Sequence, residues 1–441
     1  MSGDASGELS HLRSRKSSQK LDLNSSLTFA EKISPIMFNM LTLKTISLQI
    51  VDASTRNHKV RSDEVSADIK LIIERLSRSL DNKLDKAESA SGKRSIVLDV
   101  HDTFQRYTLA VIFLITYKRD NMIDFDAEVD NWVNVMEQGA RNISNPIVTT
   151  AIMFPFLRSH CRFLVQFHKV GQLQVKVIDY IIKATDINRV AREAHSKIQK
   201  RLSVTTGSKE RSFSELKRQG DFKRRLVDTI IDSFIEKRIK YDEFIGSTLF
   251  LLLAGFETTA DTITCLVWHL AREPKIQEKL REALRERGID DEYVMWCILE
   301  TVRWHPAVPL GTGRILSEDV TVNGLMVPKG SFVMPSTHSI HHDSTIWPEA
   351  DKFDPERWRY QSTFHPAAFM GFGLGPRNCV GGKLAIHEIK LVMQLLLSKY
   401  RIERCPETTE EYNFSSPGLV YTILDQPIKV RLVALAKDTQ S

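Results

Sequence analysis

Apolar residues recur at three- and four-residue steps along most of the chain, which predicts a mainly helical protein. The clearest stretch is Asp63 to Leu84, where Val65, Ile69, Ile72, Leu76 and Leu80 form one stripe, and Ser89 to Lys93 is the polar break after it. Asp102 to Tyr117 is apolar on nearly all sides and reads as an interior helix. Ser25 to Leu43 predicts a short helical region, and further helices are expected over Phe125 to Glu137, Phe156 to Thr185 and Ile187 to Leu202. Asp242 to Arg272 is a long, mostly apolar helix ending before Pro274. An amphipathic stretch from Pro274 to Arg287 stops at Gly288, and a further helix from Asp291 to His305 is closed by Pro306.

The period changes after that. Val320 to Val322 and Leu325 to Val327 flank Asn323-Gly324, a two-residue hairpin signal. Ser331 to Pro335 follows the turn Pro328-Lys329-Gly330 as another strand. Leu419 to Leu424 and Lys429 to Leu435 alternate and predict a C-terminal hairpin. Thr205 to Arg225 is polar and predicts a loop; its Lys223-Arg224-Arg225 cluster suits solvent, a membrane or an acidic protein. No internal repeat and no clear boundary divide the chain. It reads as one α-rich domain over residues 1–441 with small β-sheets, its polar first 24 residues frayed or disordered.

Composition narrows the classes only a little. Hydrophobic residues make up 42% and charged residues 26% of the 441, ordinary values for a chain with a sizeable core. A net charge of +6 fits an acidic partner or an anionic membrane surface. Nucleic acid is disfavoured, since no zinc-finger spacing or interleaved aromatic-basic motif occurs. The five cysteines are odd in number, far apart and free of Cys-x-x-Cys pairs, the usage of a reducing compartment. The longest apolar run, around Leu109 to Ile115, is too short to span a bilayer, and Met1 to Lys20 lacks the apolar segment of a signal peptide.

One stretch concentrates chemistry: Phe372-Gly373-Leu374-Gly375-Pro376-Arg377-Asn378-Cys379-Val380-Gly381, followed by a helical run from Lys383 to Leu397. Gly373 and Gly375 permit positive φ or close backbone approach. Cys379 falls at a helix N-terminus, where the dipole and free amides favour a thiolate. Such a thiolate is the axial ligand that heme iron needs for O–O cleavage. Gly381 keeps a side chain out of a porphyrin's way, and Arg377 is a fixed cation for a propionate. A Gly-rich turn before a helix, with a buried free cysteine, would share part of this pattern.

Two further elements stand out. In the long helix, Ala254-Gly255-Phe256-Glu257-Thr258-Thr259 puts an acid beside hydroxyls in apolar surroundings, at some cost. The small residues Ala254 and Gly255 would let a planar cofactor lie close; a threonine-bent helix with a solvent-facing glutamate is the plainer alternative. Glu300 and Arg303, three residues apart on an apolar helix, can pair and be buried, provided further hydrogen bonds support them.

The cysteine stretch resembles the ligand loop of the cytochromes P450, Phe-Gly-x-Gly-x-Arg-x-Cys-x-Gly, at all six specified positions. The order of the other elements is also that family's order. The resemblance implies a mainly α cytochrome P450 fold carrying heme b (iron protoporphyrin IX), with Cys379 as iron ligand and with Phe372, Gly373, Gly381, Arg377, Arg314, Ala254 and Gly255 around the cofactor. Glu257 and Thr258 would manage protons during oxygen activation. Glu300, Arg303 and Arg357, the last from Pro355-Glu356-Arg357-Trp358, would hold the cysteine loop without a part in the chemistry. Trp358 stands where the family usually has Phe and is expected to change packing only. His305 and the pair His341-His342 lack a third ligand at metal spacing and read as turn-associated.

Residues Asp291 to Asp425 look most like the animal microsomal branch. That implies a monooxygenase placing one atom of O2 into a lipophilic small molecule, at the cytoplasmic face of the endoplasmic reticulum membrane. Electrons would come from an NADPH-dependent flavoprotein reductase docking on a basic face with Lys383 and Lys390. The branch's anchor, proline-rich hinge, first helices and strands, and substrate-covering loop do not precede Ser25. Its propionate-binding Trp-x-x-x-Arg is also missing, with Arg13 or Arg15 as stand-ins. A shortened or truncated member is expected, binding heme poorly and leaving Ser331 to Pro335 as an open edge prone to aggregation. A heme-thiolate isomerase or dehydratase acting on a peroxide, and a non-catalytic remnant, are the rival readings.

Overall fold

Two apolar helices lie against each other along most of their length, and the rest of the chain is arranged about them. The computed structural model describes residues 58–117, 122–127, 132–137, 239, 241–311, 313–415 and 422–435. The first of the pair, α2 (Val100–Tyr117), buries every residue except His101 and Asp102, as expected of a helix apolar on all sides. Asp99 sets its start by accepting from the Asp102 amide at 3.2 Å. Its partner, α3 (Tyr241–Arg272), packs along it more extensively than any other pair of elements. The segment Phe250–Arg272 is long and apolar enough to cross a membrane, so the expectation that no such helix exists is corrected. Within that segment, 72% of its apolar 18-residue window is buried in the protein, and it is part of the core.

Around this pair pack α1 (His58–Ser91), α4 (Pro274–Glu286), α5 (Glu292–Trp304) and α7 (Gly382–Lys399), with the short α6 (Thr337–His341) before α7. The predicted stripe of α1 is the buried one: Ile69, Ile72, Leu76 and Leu80 are at most 1% exposed. Asp291 caps α5 by accepting from the Tyr293 amide at 2.8 Å. A second, smaller core of Trp347, Ala350, Trp358 and Ala368 lies in the segment that leads to the cysteine loop.

Among the described residues of the Phe125 to Glu137 stretch, 132–137 are helical and 125–127 are not. Before it, side chains take the carbonyls that a helix would use: Arg106 Nη1 donates to Asp124 O at 2.8 Å and Ala127 O at 2.9 Å. Ser79 and Lys83 both donate to Phe125 O.

The strands β1 (Ser95–Asp99), β6 (Tyr400–Glu403) and β9 (Lys429–Ala434) form one antiparallel sheet in the order β1-β9-β6. The expected C-terminal hairpin is therefore corrected. Ser95 pairs with Val433 and Tyr400 with Ala434, occupying both edges of β9. Meanwhile β8 (Ile423–Leu424) pairs with β7 (Phe414–Ser415). Alternation shows that a run is a half-buried strand without naming its partner.

The other hairpin is as predicted: β3 (Val320–Val322) and β4 (Leu325–Val327) join through Asn323 at φ 48 and Gly324 at φ 81. β5 (Phe332–Val333) pairs with β2 (Arg314–Ile315). The predicted helices Ser25 to Leu43, Phe156 to Thr185 and Ile187 to Leu202, the loop Thr205 to Arg225, and the first 24 residues lie outside the described residues.

Candidate functional site

The cysteine loop closes on itself through one short contact. The Cys379 amide donates to Phe372 O at 2.7 Å, while Gly373 and Gly375 take φ of 70° and 73°, which a side chain would strain. A three-residue 3₁₀ turn, Gly375–Arg377, carries Arg377 on its exposed side. Of the four cysteines among the described residues, three are buried and Cys379 is exposed. Enough protein surrounds its sulfur that desolvation raises the thiol above its ordinary value, while the Gly381 and Gly382 amides pull the other way. Leu374 and Val380, 43% and 41% exposed, flank the thiol.

Among the residues of α3 whose burial is described, the pattern opens around Ala254. Ala254 is exposed and Thr258, one turn on, is half-buried, while the residues from Thr259 to Ala271 are buried. Thr258 donates its hydroxyl to Ala254 O at 2.8 Å. Gly255 lies off this open face: a β-carbon there would come within 2.9 Å of Ile112 Cδ1 on α2. Its missing side chain is used by the helix–helix contact.

Glu257 is 5% exposed and is not the solvent-facing residue of the plainer alternative. Gln105 Nε2 donates to its Oε2 at 2.9 Å, and His101 Nε2 is 3.3 Å from Oε1. One turn further, Asp261 receives His305 Nε2 at 2.8 Å, the Thr422 hydroxyl at 2.8 Å and the Tyr412 hydroxyl at 2.8 Å. Those partners hold its carboxyl below the usual carboxylate range, against desolvation acting in the opposite sense.

Glu300 and Arg303 are wholly buried. Arg303 grips Glu300 with Nε and Nη2, both at 2.9 Å. Arg357 Nε and the Asp354 amide reach Glu300 Oε1 at 2.9 Å, and Trp358 Nε1 donates to Oε2 at 3.0 Å. The expectation that Trp358 changes packing only is corrected, because its indole N–H is one of the donors a buried carboxylate requires. Arg303 Nη1 continues to His341 O at 2.8 Å. His341 Nε2 in turn accepts from the Met370 amide at 2.9 Å, two residues before Phe372.

Arg314 is exposed on β2, where Nη1 donates to Gly313 O. Lys383 is exposed beside the loop, whereas Lys390 is 9% exposed and paired with Asp290 at 3.4 Å. Lys390 therefore drops out of the proposed docking face, since α7 turns into the core within two turns. The roles of His101, Gln105, His341 and Trp358 were missed. Only the four-residue spacing of Glu257 and Asp261 hinted that α3 carries a buried polar row.

Heme b fits what is present. A surface cysteine between the apolar Leu374 and Val380, on a loop whose turn bears Arg377, suits a flat, apolar ring with a soft ligand site and carboxylate edges. The open face at Ala254 and Thr258 is the small-residue surface such a ring needs.

The sequence pattern of the Cytochrome P450 family matches residues 53–431. The chain is similar to Cytochrome P450 3A6 of Oryctolagus cuniculus, 25% identical over 372 residues, or 79% of this chain and 67% of that one. It is 26% identical over 381 residues to Cytochrome P450 3A56 of Fundulus heteroclitus, covering 81% of this chain and 68% of that protein. Cytochrome P450 3A41 of Mus musculus is 31% identical over 215 residues, 46% of this chain and 42% of the other.

Proposed function

We propose that this chain, which belongs to the cytochrome P450 family, places one oxygen atom of O2 into a lipophilic small molecule. At the level of the family it is a heme-thiolate monooxygenase whose cofactor is heme b. The single observation that carries the residue assignment is the exposure of Cys379 at the centre of the six-position loop, while Cys265, Cys297 and Cys405 are buried. Cys379 would ligate the iron, and Phe372, Gly373 and Gly381 would shape the loop that holds it. Arg377 and Arg314 would neutralise the heme propionates. Ala254 would leave room for the cofactor; Gly255 supports that helix through Ile112.

When bound, heme activates O2, and a thiolate ligand donates electron density that favours O–O cleavage. The chain's own part is to hold protons and keep out water. Thr258 spends its hydroxyl hydrogen on Ala254 O, so its oxygen still accepts from the open side. Glu257, fixed by Gln105, is the acid behind it. Glu300, Arg303 and Arg357 tie α5 to the segment before the loop and take no part in the chemistry.

Electrons would come from an NADPH-dependent flavoprotein reductase, meeting the basic face of Arg377 and Lys383. The resemblance of Asp291 to Asp425 to the animal microsomal branch supports a lipophilic substrate and an endoplasmic reticulum membrane setting. The family match over 53–431 supports a single domain. The test is the reduced carbon monoxide difference spectrum of the purified protein beside Cys379→Ser. A thiolate-type Soret band lost only in the variant is expected; its retention would remove Cys379 from the iron.

A further inference from the structure

His101 sits at the solvent edge of the buried polar row. It is one of two residues of α2 that escape burial, and its side chain keeps 15% exposure. Its Nε2 is 3.3 Å from Glu257 Oε1 and has no other partner, an ion-pair distance that a small ring rotation turns into a hydrogen bond. Gln105 holds the other carboxylate oxygen, so Oε1 is left to His101.

The charged groups acting on the imidazole are acids: Glu257 and Asp261 on α3, and Asp99 on β1. On the far side, His305 of α5 with Tyr412 and Thr422 are taken up by Asp261. Desolvation would lower His101, yet the Glu257 contact and those acids outweigh it and lift it above an ordinary histidine. The contact is not needed to bind the two helices. They are already joined by apolar burial and by Thr108, whose hydroxyl donates to Phe256 O at 3.0 Å.

We propose that His101 supplies the protons that Glu257 passes toward Thr258, making α2 the proton entry of the site. Nε2–H gives its proton to Glu257 Oε1, leaving a neutral imidazole with its hydrogen on Nδ1; a ring flip then brings the bare Nε2 to the exposed edge, where it takes a proton from bulk water before turning back. No electron changes hands in the step. His101 acts through Glu257 and is a positioning and proton-supplying residue; the proposal rests on Glu257 being the site's acid.

The test uses the full-length, heme-loaded protein. Histidine ring resonances are followed by NMR against pH in the diamagnetic reduced carbon monoxide complex, His101 being the signal lost in His101→Gln. Its midpoint is expected above that of an ordinary histidine and should fall in Glu257→Gln. Product per NADPH is then measured with a fluorogenic benzyl ether and a flavoprotein reductase. His101→Gln should lower it about ten-fold and erase the alkaline limb expected of the native protein, with heme content unchanged. His101→Lys, which keeps a cation, should fold and move that limb to higher pH, and it carries the test if His101→Gln does not fold.

An ordinary His101 midpoint, or native coupling and pH profile in His101→Gln, would overturn the proposal. If Glu257→Gln is itself fully coupled, the assignment of Glu257 falls and this proposal with it. If Glu257→Gln is uncoupled and His101→Gln is not, only the proton entry is wrong.

Discussion

The amide of Met370 donates to Nε2 of His341 at 2.9 Å, while Nδ1 of the same ring lies 3.1 Å from Arg303 O. The two contacts demand one state of the ring: Nδ1 carries the hydrogen and Nε2 is a bare acceptor. His341 is thereby the bridge between the buried Glu300–Arg303 pair and the segment entering the cysteine loop. Desolvation pushes it down to about 3, so it stays neutral in the folded protein.

A pH dependence follows. The unfolded chain takes up a proton at His341 near 6.5 and the folded protein does not until about 3. Stability from this residue is therefore complete above 6.5 and is lost as pH falls from 6.5 toward 3, at up to about 1.4 kcal/mol per pH unit. Urea unfolding of the native protein and His341→Ala between pH 7 and 5 should show a shallower acid loss in the variant. His338 and His342 shift in the same sense and remain in both proteins, so the difference isolates His341. Parallel profiles would mean the ring titrates freely.

Trp358 and Arg303 make different demands on Glu300. Trp358→Phe removes one donor and leaves Arg303, Arg357 and the Asp354 amide in place, so it should cost about 1–3 kcal/mol and keep heme. Arg303→Ala removes two donors and one of the two cations from the buried carboxylate, on the order of 3–5 kcal/mol, and should yield apoprotein or aggregate. Thermal unfolding and heme content check both. If Trp358→Phe proved as stable as the native protein, Trp358 would return to a packing role.

Thr258 should matter to oxygen use and not to structure. Its hydroxyl donates only back to Ala254 O, a contact that adds little to helix stability. Thr258→Ala should keep heme and unfolding temperature while product per NADPH falls by roughly ten-fold and peroxide rises, with Thr258→Ser intermediate. Unchanged coupling in Thr258→Ala would move the proton path elsewhere.

Much of the architecture was legible because its signals are local. The α1 stripe, the Asn323-Gly324 turn and the six-position cysteine loop each lie within a few consecutive turns of chain. The partners of β9 were not, since its pairing to Ser95–Asp99 spans more than three hundred residues. Side-chain partners were hidden for the same reason. Nothing near Glu257 in sequence names Gln105 or His101, and nothing near Trp358 shows that its indole faces Glu300 rather than an apolar wall.

Ala254 and Gly255 separate the two uses of a small residue on α3. A β-carbon at 255 would meet Ile112 Cδ1 at 2.9 Å, the movable end of a side chain. Gly255→Ala therefore trades a mild clash against the roughly 1 kcal/mol by which Ala outranks Gly in a helix. Combined with Ile112→Val, which withdraws the clashing methyl, it should match or exceed native stability, with heme content unchanged in single and double variants. Ala254 is exposed on the open face, so Ala254→Phe should fold normally, there being room for the ring in solvent, yet fill the space that a heme would need. Heme titration of the two variants decides between the assignments. If Gly255→Ala lost heme and Ile112→Val failed to restore it, Gly255 would face the cofactor after all. If Ala254→Phe bound heme as the native protein does, the open face of α3 would not be where the cofactor lies.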